Sequence, residues 1–563
     1  MPKLTGGQAV VESLKTQGVD TVFGIISIHN LDLFDSLFGS QDSIQFVGGR
    51  LELGCGFMAD GYARATGKPG VLFTSTGPGA ADSVGAIGEA YFSGSPILEI
   101  TTNVEQEFLG SGKLATHETK DQLRMFEAVT DWNTSIPQVE SIPDNITQAF
   151  DRFQTRRPRP IELEIPTDLL GTEADVEMLT ARQPNIPQGD PNQVEKALQM
   201  LLKAKRPAIL VGEEVQQLGG TQQIVELAEK LGAAVVTSDG AKGAFPEDHA
   251  QSLGQIMGRR IWGENPVQEW LGTCDLVVVL GSIMPHRSTS GIGLQLPNDM
   301  VHVLLDGEAI GKNYPATVPI VANSQAVVQQ WLGAIGDQDV HKGAAFQDDL
   351  KSIRGNMRSR LEETWSNELK VFETVRAVTP RNTIFSLDPT VGASRATRCL
   401  DIYEPRTYMH PHGWLGLGFA FPAAIGAKVG KPDSPVVCVT GDGGFQYNFQ
   451  ELATCAQYDI HPVVLMFNDN AWGVLKGFQS DRFGDNRRFA TDLVNPDFVK
   501  IFESYGFEGT KVTNVNDLGK ALESAIASGK TTTMGKDRSP SISWSSIICP
   551  SLSSRIRIRE SST

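Results

Sequence analysis

Cysteine is scarce in this sequence: six residues in 563, namely Cys55, Cys274, Cys399, Cys438, Cys455 and Cys549. They lie far apart and form no C-x-x-C pair, which argues against a disulfide framework or zinc site and leaves reduced, mostly buried thiols. Basic charge is also short, with 49 Lys and Arg against 66 Asp and Glu and a net charge of -17. Such a surface repels phosphate backbones, which argues against nucleic acid as a partner. Long apolar runs are missing. A run such as Pro462 to Phe467 falls far short of a bilayer span. No charged and then apolar leader opens the chain, so the expectation is a cytoplasmic enzyme without membrane contact. Nor is there a short internal repeat of the solenoid kind.

What is present is ordinary globular material, 40% hydrophobic and 20% charged. The length suits about three domains. Short β-branched runs alternate with helical patterns in three segments, which predicts an α/β fold of three doubly wound parallel-sheet domains. The first covers residues 1–170 and closes on the strand signal Pro160-Ile-Glu-Leu-Glu-Ile-Pro166. A polar stretch from Gly171 to Pro191 reads as a linker. The second, 190–336, holds buried-strand runs such as Ala208-Ile-Leu-Val-Gly212 and Leu276-Val-Val-Val-Leu280. The third covers 365–530. Residues 531–563 form an atypical Ser-rich tail without clear period.

Chemistry concentrates in the third segment. The apolar strand Pro435 to Thr440 runs into Gly441-Asp442-Gly443-Gly444, a helical pattern follows at Asn448 to Tyr458, and the strand His461 to Phe467 ends in Asn468-Asp469-Asn470-Ala471-Trp472-Gly473. Both loops emerge at the carboxyl edge of a parallel sheet, where α/β proteins bind ligands. Glycines let backbone approach an anion, and a helix start offers free N–H groups. A carboxylate in such a turn repels phosphate unless a cation lies between them. Asp442 therefore implies Mg²⁺, with Asp469 as a second oxygen donor. A lone G-D-G is an ordinary turn; strand, G-D-G, helix, strand and N-D-N together specify a metal–diphosphate site.

In the first segment Arg50-Leu-Glu52 precedes the small-residue helix Gly54-Cys-Gly-Phe-Met-Ala-Asp-Gly-Tyr-Ala-Arg64. Alone, Glu52 reads as a first-turn acid that complements the helix dipole. Thr74-Ser-Thr-Gly-Pro-Gly79 is another glycine turn, and His117 sits in a polar loop that ends at Gln122.

Together these motifs, with Gly418-Phe-Ala-Phe-Pro-Ala-Ala-Ile-Gly-Ala427, resemble the thiamine-diphosphate enzymes of the acetolactate synthase, benzoylformate decarboxylase and 2-hydroxyacyl-CoA lyase superfamily, over about residues 4 to 529. The resemblance implies pyrimidine-binding, central Rossmann-like and diphosphate-binding domains in that order. It implies Asp442, Asp469 and the Ala471 carbonyl as Mg²⁺ ligands, and Gly441, Gly443 and Gly444 as the diphosphate cradle. Leu417 takes the place of the wedge that bends the cofactor, and the Leu415 carbonyl holds its amino group. Glu52 shares a proton with the pyrimidine, a task that suits a buried carboxyl of raised pKa. His117 is the second catalytic candidate, and Ile28, His29 and Phe478 are expected around the substrate.

The implied reaction is decarboxylation of a small-molecule 2-oxo acid and carboligation of the acyl unit to an acceptor. The alternatives are a non-ligating 2-oxo acid decarboxylase of benzoylformate or phenylpyruvate type, and an inactive cofactor-binding paralogue. In the family Glu52 and the G-D-G loop meet across a subunit interface, so a homodimer or homotetramer is implied. FAD is left unassigned, because Gly212-Glu-Glu-Val-Gln-Gln-Leu-Gly-Gly220 matches nucleotide loops weakly.

Several positions depart from the family. The second metal position is Asp469 where Asn is usual, Leu51 replaces a His before Glu52, and Gly24-Ile-Ile-Ser27 lacks the usual Pro and second Gly. His117 stands where acetolactate synthases carry a pocket Gln, and Phe478 where they carry a Trp; both weaken a strict branched-chain biosynthesis assignment. His410 and His412 precede the wedge and are further candidates for moving protons. The family usually ends its third domain on an apolar L-I-E-V-P-like strand. Thr531 to Lys536 holds no such run, so a shifted reading frame or altered exon end near Gly529 is expected, costing the last strand.

Overall fold

The apolar runs of all three segments become strands of parallel sheets. The computed structural model describes residues 1–256 and 266–528, and the backbone of 545–550. By packing, the chain divides into two units, Met1–Asn185 with Pro411–Pro432 and Tyr447–His461, and Ile186–His410 with Asp433–Gln446 and Pro462–Thr563.

The first unit holds β1 (Thr21–Gly24), β2 (Gln45–Gly48), α1 (Glu52–Thr66), β3 (Gly70–Thr74), α2 (Pro78–Ser93), β4 (Ile97–Asn103), β5 (Trp132–Ser135) and β6 (Ile161–Pro166). Its sheet is ordered β2-β1-β3-β4-β6-β5, parallel throughout. One face buries Val71, Phe73, Leu98, Ile100, Leu163 and Ile165 in the main apolar cluster. Alternate residues on the same strands point the other way.

Helix α1 also packs against α3 (Ala420–Gly430) in this unit. The contact runs backbone to backbone. A Cβ on Gly61 would lie 2.0 Å from the Ala423 carbonyl oxygen, and one on Gly426 1.8 Å from that of Met58. The small residues of both motifs thus have a packing cause. Gly61→Ala is expected to cost about 1–3 kcal/mol by forcing the helices apart. Chemical denaturation checks this, and an unchanged midpoint would refute the interlock.

In the second unit, β7 (Pro207–Val211), β8 (Ala234–Thr237), β9 (Ser252–Gln255), β10 (Leu276–Leu280), β11 (Met300–Leu304) and β12 (Val318–Val321) form a parallel sheet ordered β9-β8-β7-β10-β11-β12. This is the strand order of dinucleotide-type doubly wound domains. A further parallel sheet contains β13 (Ile384–Leu387), β14 (Tyr408–Met409), β15 (Val436–Gly441), β16 (Val463–Asn468), β17 (Glu508–Lys511) and β18 (Ser545–Pro550), ordered β14-β13-β15-β16-β18-β17. The expected three parallel α/β sheets are therefore present.

The expected loss of the last strand is corrected. Backbone from Ser545 to Pro550 lies between β16 and β17, parallel to both. Ile547 and Ile548 supply the β-branched signal there, within a tail whose average composition is polar. Thr531 to Lys536 lies outside the described residues. The five described cysteines are free and buried, as expected. Among the described residues no helix is long and apolar enough to cross a membrane.

Candidate active site

Glu52 opens α1 after Leu51 in extended conformation. The turn before it is anchored by Glu451, whose carboxylate accepts the Arg50 N–H at 3.0 Å. Glu52 is half-buried and lies against the start of α2, where a Cβ on Gly79 would come within 2.9 Å of its Oε1. Burial first, and the charge of Asp82 second, push its pKa up from the usual carboxylate value. This is opposite in sign to the helix-dipole effect that a first-turn acid feels, and burial wins.

His117 and His29 come together, with ring centroids 4.8 Å apart. His117 has a left-handed backbone (φ 68°), and its carbonyl oxygen crowds Gly77 so closely that a Cβ there would sit 2.3 Å away. The Gly77 N–H donates to buried Gln122 at 2.8 Å, which in turn donates to the Thr102 carbonyl. His29 is buried, and burial first and His117 second lower its pKa. An imidazole held toward its neutral form, His29, therefore stands beside His117. Ile28 is 66% exposed in this chain.

Leu415 and Leu417 lie in the same unit, on the approach to α3. Leu415 is held in a left-handed conformation (φ 58°). The cause is Glu89, a buried carboxylate that accepts the N–H groups of His412, Trp414 and Leu415 at 3.2, 3.1 and 3.0 Å. Arg64 balances its charge at 3.7 Å while bonding Asp60 at 2.6 Å. Leu417 is half-buried, and Asn448 fixes the next residue by donating to the Gly418 carbonyl at 2.9 Å.

The second unit holds the other group. Gly441 ends β15, and Asp442 opens the short helix Asp442–Asn448. A Cβ on Gly443 would lie 2.4 Å from the Trp472 ring, and one on Gly444 2.7 Å from Asp388 Oδ2, so only glycine keeps this turn open. Asp442 is buried and accepts from Asn495 at 2.5 Å; Asn495 also bonds Asn468 and Asn470 at 3.0 and 3.1 Å. Burial, and then the charge of Asp442, push Asp469 up to about 6. A Cβ on Gly473 would clash with Asp469 Oδ2 at 2.1 Å, which explains the glycine closing the N-D-N-A-W-G run. Ala471 is buried and pairs with Asp492 in an isolated bridge, and Phe478 is half-buried on the helix Gly473–Phe483.

Among the described residues no three His, Cys, Asp or Glu side chains stand together as a metal cluster. Two carboxylates with backbone and amide oxygens remain, a hard-donor set that suits Mg²⁺. The two acids repel each other where they stand, and the glycine turn leaves room for an anion. These residues fit a cation with a diphosphate.

A flavin dinucleotide does not fit equally. The switch point of the central sheet lies between β7 and β10, where a dinucleotide's pyrophosphate would need glycines and free N–H groups. There Glu213 and Glu214 are both buried, Glu213 taking the Ser238 hydroxyl at 2.6 Å and Glu214 the Leu305 N–H at 3.1 Å. Two buried acids oppose a pyrophosphate there, so the residues at this switch point do not fit a flavin dinucleotide.

Sequence comparison agrees with this geometry. Residues 4–125, 194–331 and 390–534 match the N-terminal TPP binding, central and C-terminal TPP binding domains of the thiamine pyrophosphate enzymes. A probable acetolactate synthase large subunit of Methanocaldococcus jannaschii is 30% identical over 544 residues, 94% of this chain and 90% of that protein. A probable 2-ketoarginine decarboxylase of Pseudomonas aeruginosa is 32% identical over 527 residues, covering 93% and 92%. The acetolactate synthase large subunit of Haemophilus influenzae is 31% identical over 545 residues, covering 94% and 93%. The chain belongs to the thiamine pyrophosphate enzymes. Its cofactor is thiamine diphosphate, and its chemistry is the making or breaking of C–C bonds.

Sequence reasoning missed Glu89, Asn495 and Glu451. Each acts on a backbone or side chain distant in sequence, and no local motif marks them. The Asp60–Arg64 pair did carry a signal, two opposite charges four apart in an otherwise apolar helix.

Proposed function

We propose that this enzyme decarboxylates a 2-oxo acid and joins the acyl unit to a carbonyl acceptor, in the manner of an acetolactate synthase. The observation that carries the reading is Glu52, a half-buried carboxyl of raised proton affinity, in a chain that aligns along nearly its whole length with acetolactate synthase large subunits. When bound, thiamine diphosphate supplies the electron sink that lets CO₂ leave. The chain supplies the rest. Asp442, Asp469 and the Ala471 carbonyl would hold Mg²⁺, Gly441, Gly443 and Gly444 the diphosphate, and Leu415 and Leu417 the bent shape of the cofactor. Glu52 holds and returns a proton at its carboxyl oxygen. Ile28, His29, His117 and Phe478 would surround the substrate. The reading includes a homodimer or homotetramer and a cytoplasmic location; light scattering on the purified chain tests the assembly.

A second reading is favoured by the adjacent His29–His117 pair and by the relative named as a probable 2-ketoarginine decarboxylase: the acyl unit is protonated rather than ligated. NMR product analysis decides. ¹³C-pyruvate with thiamine diphosphate and Mg²⁺ is expected to give labelled acetolactate. Acetaldehyde alone, or turnover restricted to a guanidino 2-oxo acid, establishes the decarboxylase instead. No product from either donor refutes both readings and leaves the inactive paralogue.

A further inference from the structure

The face of the first sheet turned away from its apolar cluster carries a polar band: Thr74 on β3, Glu99 and Thr101 on β4, Glu162 and Glu164 on β6. Strand register sets Thr74 beside Thr101, Glu99 beside Glu162 and Thr101 beside Glu164. Glu99 and Glu162 are 0% exposed and Glu164 3%. In all three, Oε2 has no hydrogen-bond partner. Thr74 and Ser83 donate to Glu99 at 3.0 and 2.6 Å, and Thr101 donates to Glu162 at 2.5 Å. No cation among the described residues pairs with any of them. The charged groups that act on them are acidic: Glu52 on Glu99, Glu99 and Glu164 on Glu162, Asp121 on Glu164. Three bare carboxylates cannot be buried side by side without a counter-charge, so these groups are carboxylic acids in the folded protein. Burial accordingly pushes Glu99 up to about 8, and Glu162 and Glu164 upward too.

Glu99 differs from the other two in its neighbours. Its partner Ser83 sits on α2 four residues after Gly79, on the same face of the helix. Gly79 is the residue against which Glu52 lies. Glu52 and Glu99 therefore meet one face of α2 a single turn apart, with Asp82 acting on Glu52 from the same turn.

We propose that Glu99 is a positioning residue that acts through Glu52, the two carboxyls holding one proton between them in the working enzyme. This rests on the reading of Glu52 given above. With Glu99 neutral, the pair carries a single negative charge, which resides on Glu52 and leaves it free to take and return a proton. Loss of the Glu99 proton places a second charge beside Glu52, so that Glu52 holds any proton it takes up more tightly and returns it less readily. Activity then has two macroscopic limits that belong to the pair, and Glu99 sets the alkaline one.

Two measurements test this. The first is an infrared titration of the full-length chain without cofactor. A buried carboxylic-acid band is expected to bleach near pH 8, to be missing in Glu99→Gln, and to bleach at lower pH in Glu52→Gln, where the charge that holds the Glu99 proton is gone. An unmoved band in Glu52→Gln overturns the pairing. The second is the pH profile of kcat/KM. The parent is expected to fall about tenfold per pH unit on the alkaline side, and Glu99→Gln to lose that limb. Glu162→Gln, equally buried but not acting on Glu52, is expected to keep it. An alkaline limb that persists in Glu99→Gln, or vanishes equally in Glu162→Gln, overturns the proposal. Full turnover in Glu52→Gln removes the assigned role of Glu52 itself, and that of Glu99 with it, whatever the infrared result.

Discussion

Glu52→Gln is expected to bind thiamine diphosphate within a few-fold of the parent chain while losing about 10²–10⁴ in kcat. The amide copies the carboxyl in size and keeps the fit against Gly79, so the cradle for the cofactor stays intact. What it loses is the exchangeable proton. An exposed glutamate would serve poorly, because a carboxyl that stays ionised at neutral pH returns its proton too readily. Burial raises the affinity of Glu52 for that proton, and Asp82 adds to the effect. Calorimetry of cofactor binding and initial rates on the donor found by NMR check the two halves separately. Near-normal turnover would remove Glu52 from the mechanism, whereas lost binding would recast it as a structural residue.

The sheets and both glycine loops were legible in the sequence because they depend on local chemistry. Parallel strands buried on two faces read as continuous apolar runs, and turns that pass close to a neighbour demand glycine. Glu52, Asp442 and Asp469 were legible because each sits in such a turn or at a helix start. The carboxyl band of the first sheet was not. Ile161-Glu-Leu-Glu-Ile-Pro166 alternates as if one face met solvent, yet every residue in it is buried. Alternation reports two unlike faces, not which of them is wet. The His29–His117 pair and the Glu89 clamp on Leu415 join residues far apart along the chain, and no local pattern encodes such a meeting. The same limit hid the packing of Pro411–Pro432 with the first segment, and a polar average hid the strand Ser545–Pro550.

Asp442→Ala is expected to weaken Mg²⁺-dependent retention of thiamine diphosphate by about 10²-fold or more, since loss of groups that merely support a metal ligand already costs about 10–100-fold. Charge is the cause. Asp442 and Asp469 stand close enough for one to raise the proton affinity of the other, and a diphosphate brought to this turn meets both. Only a cation between them makes three anionic partners favourable together. Removing Asp442 leaves one carboxylate, and the Asn495 amide that bonds it cannot replace the lost charge. Asp442→Asn keeps the size and should fail nearly as badly, which separates charge from shape. A ligand that binds only the folded chain raises its melting temperature in proportion to the logarithm of its affinity. The joint stabilisation by Mg²⁺ and thiamine diphosphate seen in the parent is therefore expected to vanish in both variants. Retention by calorimetry that matches the parent would place the metal elsewhere and refute the site.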